Sequence, residues 1–84
     1  MIAVKFFASL RDAVGLAELS LAPPELPSDL DALLGLLRDR LEGEAYAAIT
    51  AVAVRIAVNQ TLVEGNVSLG LGDEVAFLPP VTGG

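Results

Sequence analysis

The residues with the most chemical promise in this 84-residue sequence are its last six: Pro79, Pro80, Val81, Thr82, Gly83 and Gly84. None of them brings a nucleophilic or titratable side chain. The reactive group they point to is the α-carboxylate of Gly84. A free α-carboxyl titrates at about 3.3–3.7, so it is ionised at neutral pH. It repels nucleophiles until its charge is removed and a leaving group is installed. Gly83 and Gly84 lack a Cβ, so they can thread a channel too narrow for other residues and leave the terminal carbonyl open to attack. Pro79 and Pro80 fix φ and supply no N–H, which ends a strand and keeps the chain extended. They also push Leu78 toward β or polyproline geometry. Six residues span about 20 Å when fully extended, enough to enter another protein's active site. The alternative is an inert, frayed end, where glycines also collect. The apolar strand and the two prolines just upstream argue against a linker scar.

Composition narrows the chemistry further. The sequence holds no cysteine and no histidine. Disulfides, a cysteine nucleophile, a Cys/His zinc site and histidine base catalysis are therefore excluded. No metal site and no bound cofactor are expected. The absence of cysteine fits the cytoplasm. The net charge is −6, from eleven acidic and five basic residues. Lys5, Arg11, Arg38, Arg40 and Arg55 are scattered, whereas phosphate binding needs clustered cations, so nucleic acid is not an expected partner. The acidity fits either simple solubility or docking to a basic protein surface. No apolar run reaches the ~20 residues a membrane span requires, and no basic leader is visible, so no membrane partner is expected either.

The elements that must position the tail can be read from periodicity. Residues 2–8 alternate, with Ile2, Val4 and Phe6 on one face and Ala3, Lys5 and Phe7 on the other, which predicts a strand. Phe7 thus shares a face with Lys5. It is either a partly covered phenylalanine or part of a partner-binding patch. Residues 9–14 suit a short helical turn capped by Ser9 and ended by Gly15. Residues 18–21 read as a second strand, with Leu19 and Leu21 inward. The proline-rich segment 22–27 is a loop.

Ser28 is placed to cap a long helix, with Asp31 at the capping-box distance. Leu30, Leu33, Leu34, Leu37 and Leu41 form one apolar stripe on it. Asp29 and Asp31 at its start and Arg38 and Arg40 near its end suit the helix dipole. Gly43 is the expected stop. Residues 44–50 fit either a short helix or a loop. Residues 52–58 read as a strand, Asn59-Gln60 as a tight turn and 61–63 as a returning strand. Residues 74–78 form the last strand, with Val75 and Phe77 opposite Ala76 and Leu78. Strands flanking one long helix predict an α+β fold: a mixed sheet with the helix packed across one face. The first and last strands, being the most apolar, suit neighbouring central positions. This is the ubiquitin-like β-grasp pattern. It is expected to occupy residues 1–78, with 79–84 as an extended tail.

Three stretches carry a family resemblance. They are Ala57-Val58-Asn59-Gln60-Thr61-Leu62-Val63, then Gly72-Asp73-Glu74-Val75-Ala76-Phe77, then Pro79-Pro80-Val81-Thr82-Gly83-Gly84. Together with Phe6-Phe7-Ala8 and Arg11 they closely resemble the small subunits of molybdopterin synthase, the MoaD-type sulfur carriers. The resemblance runs over essentially the whole chain, though residues 16–52 match in pattern more than in identity. Leu71 departs from it, where the family more often has a polar residue.

The resemblance implies a two-stage cycle. An E1-like enzyme uses ATP to adenylate the Gly84 carboxylate, and sulfur then replaces AMP to give a C-terminal thiocarboxylate, a 1-thioglycine. The loaded tail enters the large synthase subunit and gives its sulfur to a cyclic pterin precursor, building the molybdopterin dithiolene. The implied assembly is a heterotetramer of two small and two large subunits, with the catalytic pocket in the large one. By the same resemblance Gly84 bears the adenylate and the thiocarboxylate, and Gly83 lets the tail pass. Pro79, Pro80, Val81 and Thr82 would be tail contacts; Phe7, Arg11 and Leu78 would form the docking surface. Arg11 is equally compatible with a solvated helix residue. A related carrier for thiamine or tRNA thiolation, or a protein modifier, would share the fold and the diglycine end. A β-grasp binding module with an inert tail is the third possibility.

Overall fold

In the computed structural model, residues 1–80 are described; Val81, Thr82, Gly83 and Gly84 lie outside the described residues. The chain runs β1 (Ile2–Phe6), α1 (Ser9–Val14), β2 (Glu18–Leu21), α2 (Leu30–Arg40), α3 (Gly43–Ile49), β3 (Arg55–Val58), β4 (Thr61–Val63) and β5 (Glu74–Leu78). The strands form one mixed sheet in the order β2-β1-β5-β3-β4. Among the described strands β1–β5 is the parallel pair, and β1–β2, β3–β5 and β3–β4 are antiparallel. The two most apolar strands are therefore neighbours and β5 is central, as their composition predicts. This is the α+β arrangement of the ubiquitin-like β-grasp.

The period-two pattern of the strands divides the sheet into two faces. Ile2, Val4 and Phe6 of β1 and Val75 and Phe77 of β5 are essentially inaccessible to water. They pack with Leu21 of β2, Leu30, Leu33 and Leu37 of α2 and Ile49 of α3 in one core. Phe6 and Phe77 lie opposite each other in the parallel register. Their rings stack with centroids 5.6 Å apart and planes 21° from parallel. Such a pair adds about 0.5–1.5 kcal/mol beyond its buried area. The other face bears no helix in its register positions, and the candidate site lies there.

Five local expectations need correction. The cap of α2 is Asp29, not Ser28: the Asp29 carboxylate accepts from the Ala32 N–H at 2.8 Å. Ser28 instead uses its backbone carbonyl to accept from the Leu69 N–H. The helix thus starts one residue late because the preceding backbone is tied to the segment before β5. Asp31 does not close a capping box, since its N–H donates to Asn66 Oδ1 at 2.8 Å. Ser9 does not cap α1 either. It is the first helical residue, and Ala8 occupies the cap position at φ 51 with no side-chain bond.

Gly43 does not stop α2. The helix ends at Arg40, Leu41 turns extended, and Gly43 opens α3. Residues 44–50 thereby resolve as helix for all but the last of them. Finally, β3 begins at Arg55 rather than Val52. Its first rung pairs Arg55 with Leu78, and the next position along β5 would be Pro79. A proline offers no N–H for a ladder bond, so residues 52–54 have no partner strand to extend along. Val52 is fully exposed as a result.

Candidate functional site

One row of residues crosses all five strands on the uncovered face. Glu18 of β2 pairs with Lys5 of β1, Lys5 with Ala76 of β5, Ala76 with Ala57 of β3, and Ala57 with Leu62 of β4. The two alanines sit side by side in the middle. Their short side chains lower the surface there, while larger residues stand around them. Phe7, Leu62 and Leu78 rise on the apolar sides, with Gln60, Lys5 and Glu74 completing the wall. The result is an open groove of about 460 Å³. Phe7 is 42% exposed and Leu62 54% exposed, and Leu78 is half-buried. Large apolar side chains grouped on an open sheet face are a feature of protein-contact surfaces.

The groove and the chain's last described residues are built on the same strand end. β1 and β5 run parallel, so Phe7, just past β1, lies beside the end of β5. Its N–H donates to the Phe77 carbonyl at 3.2 Å. Leu78 closes β5, Pro79 is half-buried and Pro80 is exposed. The chain therefore leaves the sheet just past Leu78, which lines the groove together with Phe7. Gly83, Gly84, Val81 and Thr82, singled out from the sequence, lie outside the described residues.

The structure brings Phe7 and Leu78 together on the groove wall, and Pro79 follows Leu78 in the chain. Arg11 is exposed on α1, four residues after Phe7, and does not line the groove. Ala57, Gln60, Leu62 and Ala76 were not singled out from the sequence. A signal for Leu62 and Ala57 exists, since a two-residue turn at Asn59-Gln60 sets them directly across from each other. That turn has φ 50 at Asn59 and φ 68 at Gln60, the positive-φ pair a tight hairpin requires.

Asn59 also ties the hairpin to β5. Its Nδ2 donates to Asp73 Oδ1 at 3.0 Å, and its Oδ1 accepts from the Glu74 N–H at 3.0 Å. Its own N–H donates to the Glu74 carbonyl at 2.8 Å. Asp73 Oδ2 accepts from the Gly70 N–H at 2.8 Å. The Asn59 amide, and then the Gly70 N–H, hold the Asp73 carboxyl below its ordinary range. Asp29 is held low in the same way by the Ala32 N–H and then by Asn66. On the wall of the groove, Lys5 Nζ meets Glu74 Oε1 at 2.9 Å. The Glu74 hydrogen bond and charge raise the Lys5 pKa, and Glu18 adds to the effect.

Among the described residues no group of three or more Cys, Asp or Glu side chains could hold a metal ion. Nor is any helix long and apolar enough to cross a membrane. What this face offers chemically is binding: an apolar groove edged by one ion pair, beside an outgoing chain.

Comparison with known proteins bears on the same residues. The chain matches the ThiS family over residues 4–84. It is 42% identical to the molybdopterin synthase sulfur carrier subunit of Escherichia coli, across the full length of both. It is 36% identical to the protein of the same name from Haemophilus influenzae, again across the full length of both. Among solved structures it is similar to a protein–protein complex of subunits 1 and 2 of the molybdopterin-converting factor from Helicobacter pylori. That match has a TM-score of 0.68 and 25% identity, covering 99% of this chain and 97% of the other. The β-grasp sheet, its open apolar face and the end-to-end sequence match agree, and the chain belongs to the ThiS family.

Proposed function

We propose that this protein is the sulfur carrier subunit of a molybdopterin synthase, and that the α-carboxylate of Gly84 carries the sulfur as a thiocarboxylate. The observation that carries this reading is the full-length identity to two sulfur carrier subunits of that enzyme. The groove beside the outgoing chain supports it, because it gives a partner a surface to hold while the tail is in use.

The chain's own residues then divide the work. Phe7 and Leu78, with Leu62 beside them, dock the partner. Pro79 and Pro80 aim the tail away from the sheet in an extended conformation. Val81 and Thr82 contact the walls of the partner's channel, and Gly83 passes its narrowest point. Arg11, exposed on α1, makes a further contact with the partner. Gly84 arrives as an anion and is adenylated by an E1-like partner at the expense of ATP. Sulfur displaces AMP, and the resulting 1-thioglycine is soft and nucleophilic. Inside the large subunit the tail excludes water from the reacting sulfur while it passes to the cyclic pterin precursor. Two carriers flanking two large subunits in the cytoplasm complete the arrangement. The Helicobacter pylori complex of subunits 1 and 2 supports a large-subunit partner for this chain.

Reconstitution tests the reading. The carrier, activated in the presence of a sulfur donor, is combined with a molybdopterin synthase large subunit and the pterin precursor. Dithiolene product is expected with the full chain and none with Gly84 removed. Product from the shortened chain would contradict the proposal. Thiocarboxylate without dithiolene product would assign the chain to a thiamine or tRNA thiolation pathway.

A further inference from the structure

We propose that Glu74 shields Lys5, the single lysine of the chain, from acylation by activated carboxyl termini, the carrier's own included. The inference deepens the sulfur-carrier reading and rests on it. Among the 84 residues one lysine stands beside four arginines. A guanidinium stays protonated at any working pH and is not an acyl acceptor. Lys5 Nζ is therefore the one side-chain amine on which this chain could be acylated.

A protein whose glycine terminus becomes an acyl adenylate presents an electrophile to every neutral amine it meets. The side reaction is simple to write. The lone pair of neutral Nζ attacks the Gly84 carbonyl carbon and a C–N bond forms. The bond from that carbon to the phosphate oxygen breaks, AMP leaves with the electron pair, and the Nζ proton goes to solvent. The product is two carriers joined by an isopeptide bond, one of which has lost its terminal carboxyl group for good.

Burial does not protect Lys5, whose side chain is 34% exposed on the groove wall. Its protection is the ion pair. Nζ lies 2.9 Å from Glu74 Oε1, with Glu74 reaching across from the neighbouring parallel strand. The other charged residues at outer-face positions of the strands are Glu18, directly paired with Lys5 on β2, and Arg55, paired with Leu78 on β3. The helices pack on the opposite face. Two carboxylates thus flank the ammonium; Glu74 bonds it and, by hydrogen bond and charge, raises its pKa, so the neutral amine that could attack becomes scarcer. A protonated amine has no lone pair to attack with. The pair also sits in the groove that a docked partner would cover, so Lys5 needs this guard while the face is open.

Two measurements on the full chain test the proposal. The first acetylates wild type and Glu74→Gln with an N-hydroxysuccinimide ester of acetic acid at pH 8. Lys5 labelling is read by mass spectrometry against the α-amino group as internal reference. Several-fold faster Lys5 acetylation is expected in Glu74→Gln; an unchanged ratio overturns the shield. This arm does not involve the glycine terminus, so it decides the matter even if the carrier reading fails. The second supplies an adenylating partner and ATP without a sulfur donor. Glu74→Gln should accumulate a Gly84–Lys5 isopeptide that wild type and the Glu74→Gln/Lys5→Arg double variant lack. Equal amounts in wild type and Glu74→Gln overturn the proposal. Failure to form adenylate on any variant contradicts the carrier reading and, with it, the shield's purpose. Matching melting curves by circular dichroism confirm that the variants are folded.

Discussion

Phe7 exposes a large apolar ring that its strand could have spared by placing a polar residue there. Its neighbours on the outer face are the alanines of the groove floor and Leu78, so the ring borders a depression instead of standing alone. Rings of this kind are frequent anchors at interfaces. Phe7→Asp should therefore weaken binding to the synthase large subunit at least tenfold, about 1.4 kcal/mol, by calorimetric titration. The melting temperature should barely move, because the ring is outside the core. Unchanged affinity would remove Phe7 from the proposed contact. Asp73 supports a different test. Its folded pKa lies below the ordinary value, so the unfolded chain binds more protons in the acid range. The stability it contributes is present above the unfolded pKa, near 3.8, and is lost as pH falls through the depressed folded value. Asp73→Asn keeps an acceptor but cannot titrate. Its melting temperature should fall less steeply than that of wild type between pH 5 and about pH 2.

β5 does two jobs at the level of elements: it anchors the core through Val75 and Phe77 and floors the groove through Ala76. Ala76→Leu would fill the groove from its floor while leaving the helix-covered face alone. The expected result is a folded protein with partner affinity reduced tenfold or more, read by circular dichroism and titration together. Leu37→Ala on α2 should do the reverse. Leu37 is completely buried, and its truncation should cost about 2–5 kcal/mol in denaturant unfolding. The strands, their two faces and the leucine stripe were legible because burial imposes periods of two and of 3.6 on the sequence. The ends of the elements were less legible. Asp29 displaced Ser28 as the cap because Asn66, thirty-seven residues away, bonds its carboxylate. β3 lost its first residues because Pro79, just past the end of β5, offers no N–H. Both outcomes depend on partners distant in sequence. The groove was half legible for the same reason: parity placed Phe7 and Leu78 outward, but only the sheet order brings Ala57 and Leu62 beside them.

The whole molecule is a small sheet with its helices on one side, an open apolar face on the other, and a chain end leaving at the edge of that face. On the proposed account the folded body is a handle, and the chemistry belongs to the terminal glycine. Carriers extended by one residue past Gly84 should keep the wild-type melting temperature and lose sulfur transfer entirely. The most direct measurement is the intact mass of the carrier after incubation with its activating enzyme, ATP and a sulfur donor. The account predicts a mass gain equal to one oxygen-to-sulfur exchange, mapped by fragmentation to Gly84. An unchanged mass, or sulfur found on any other residue, would contradict it.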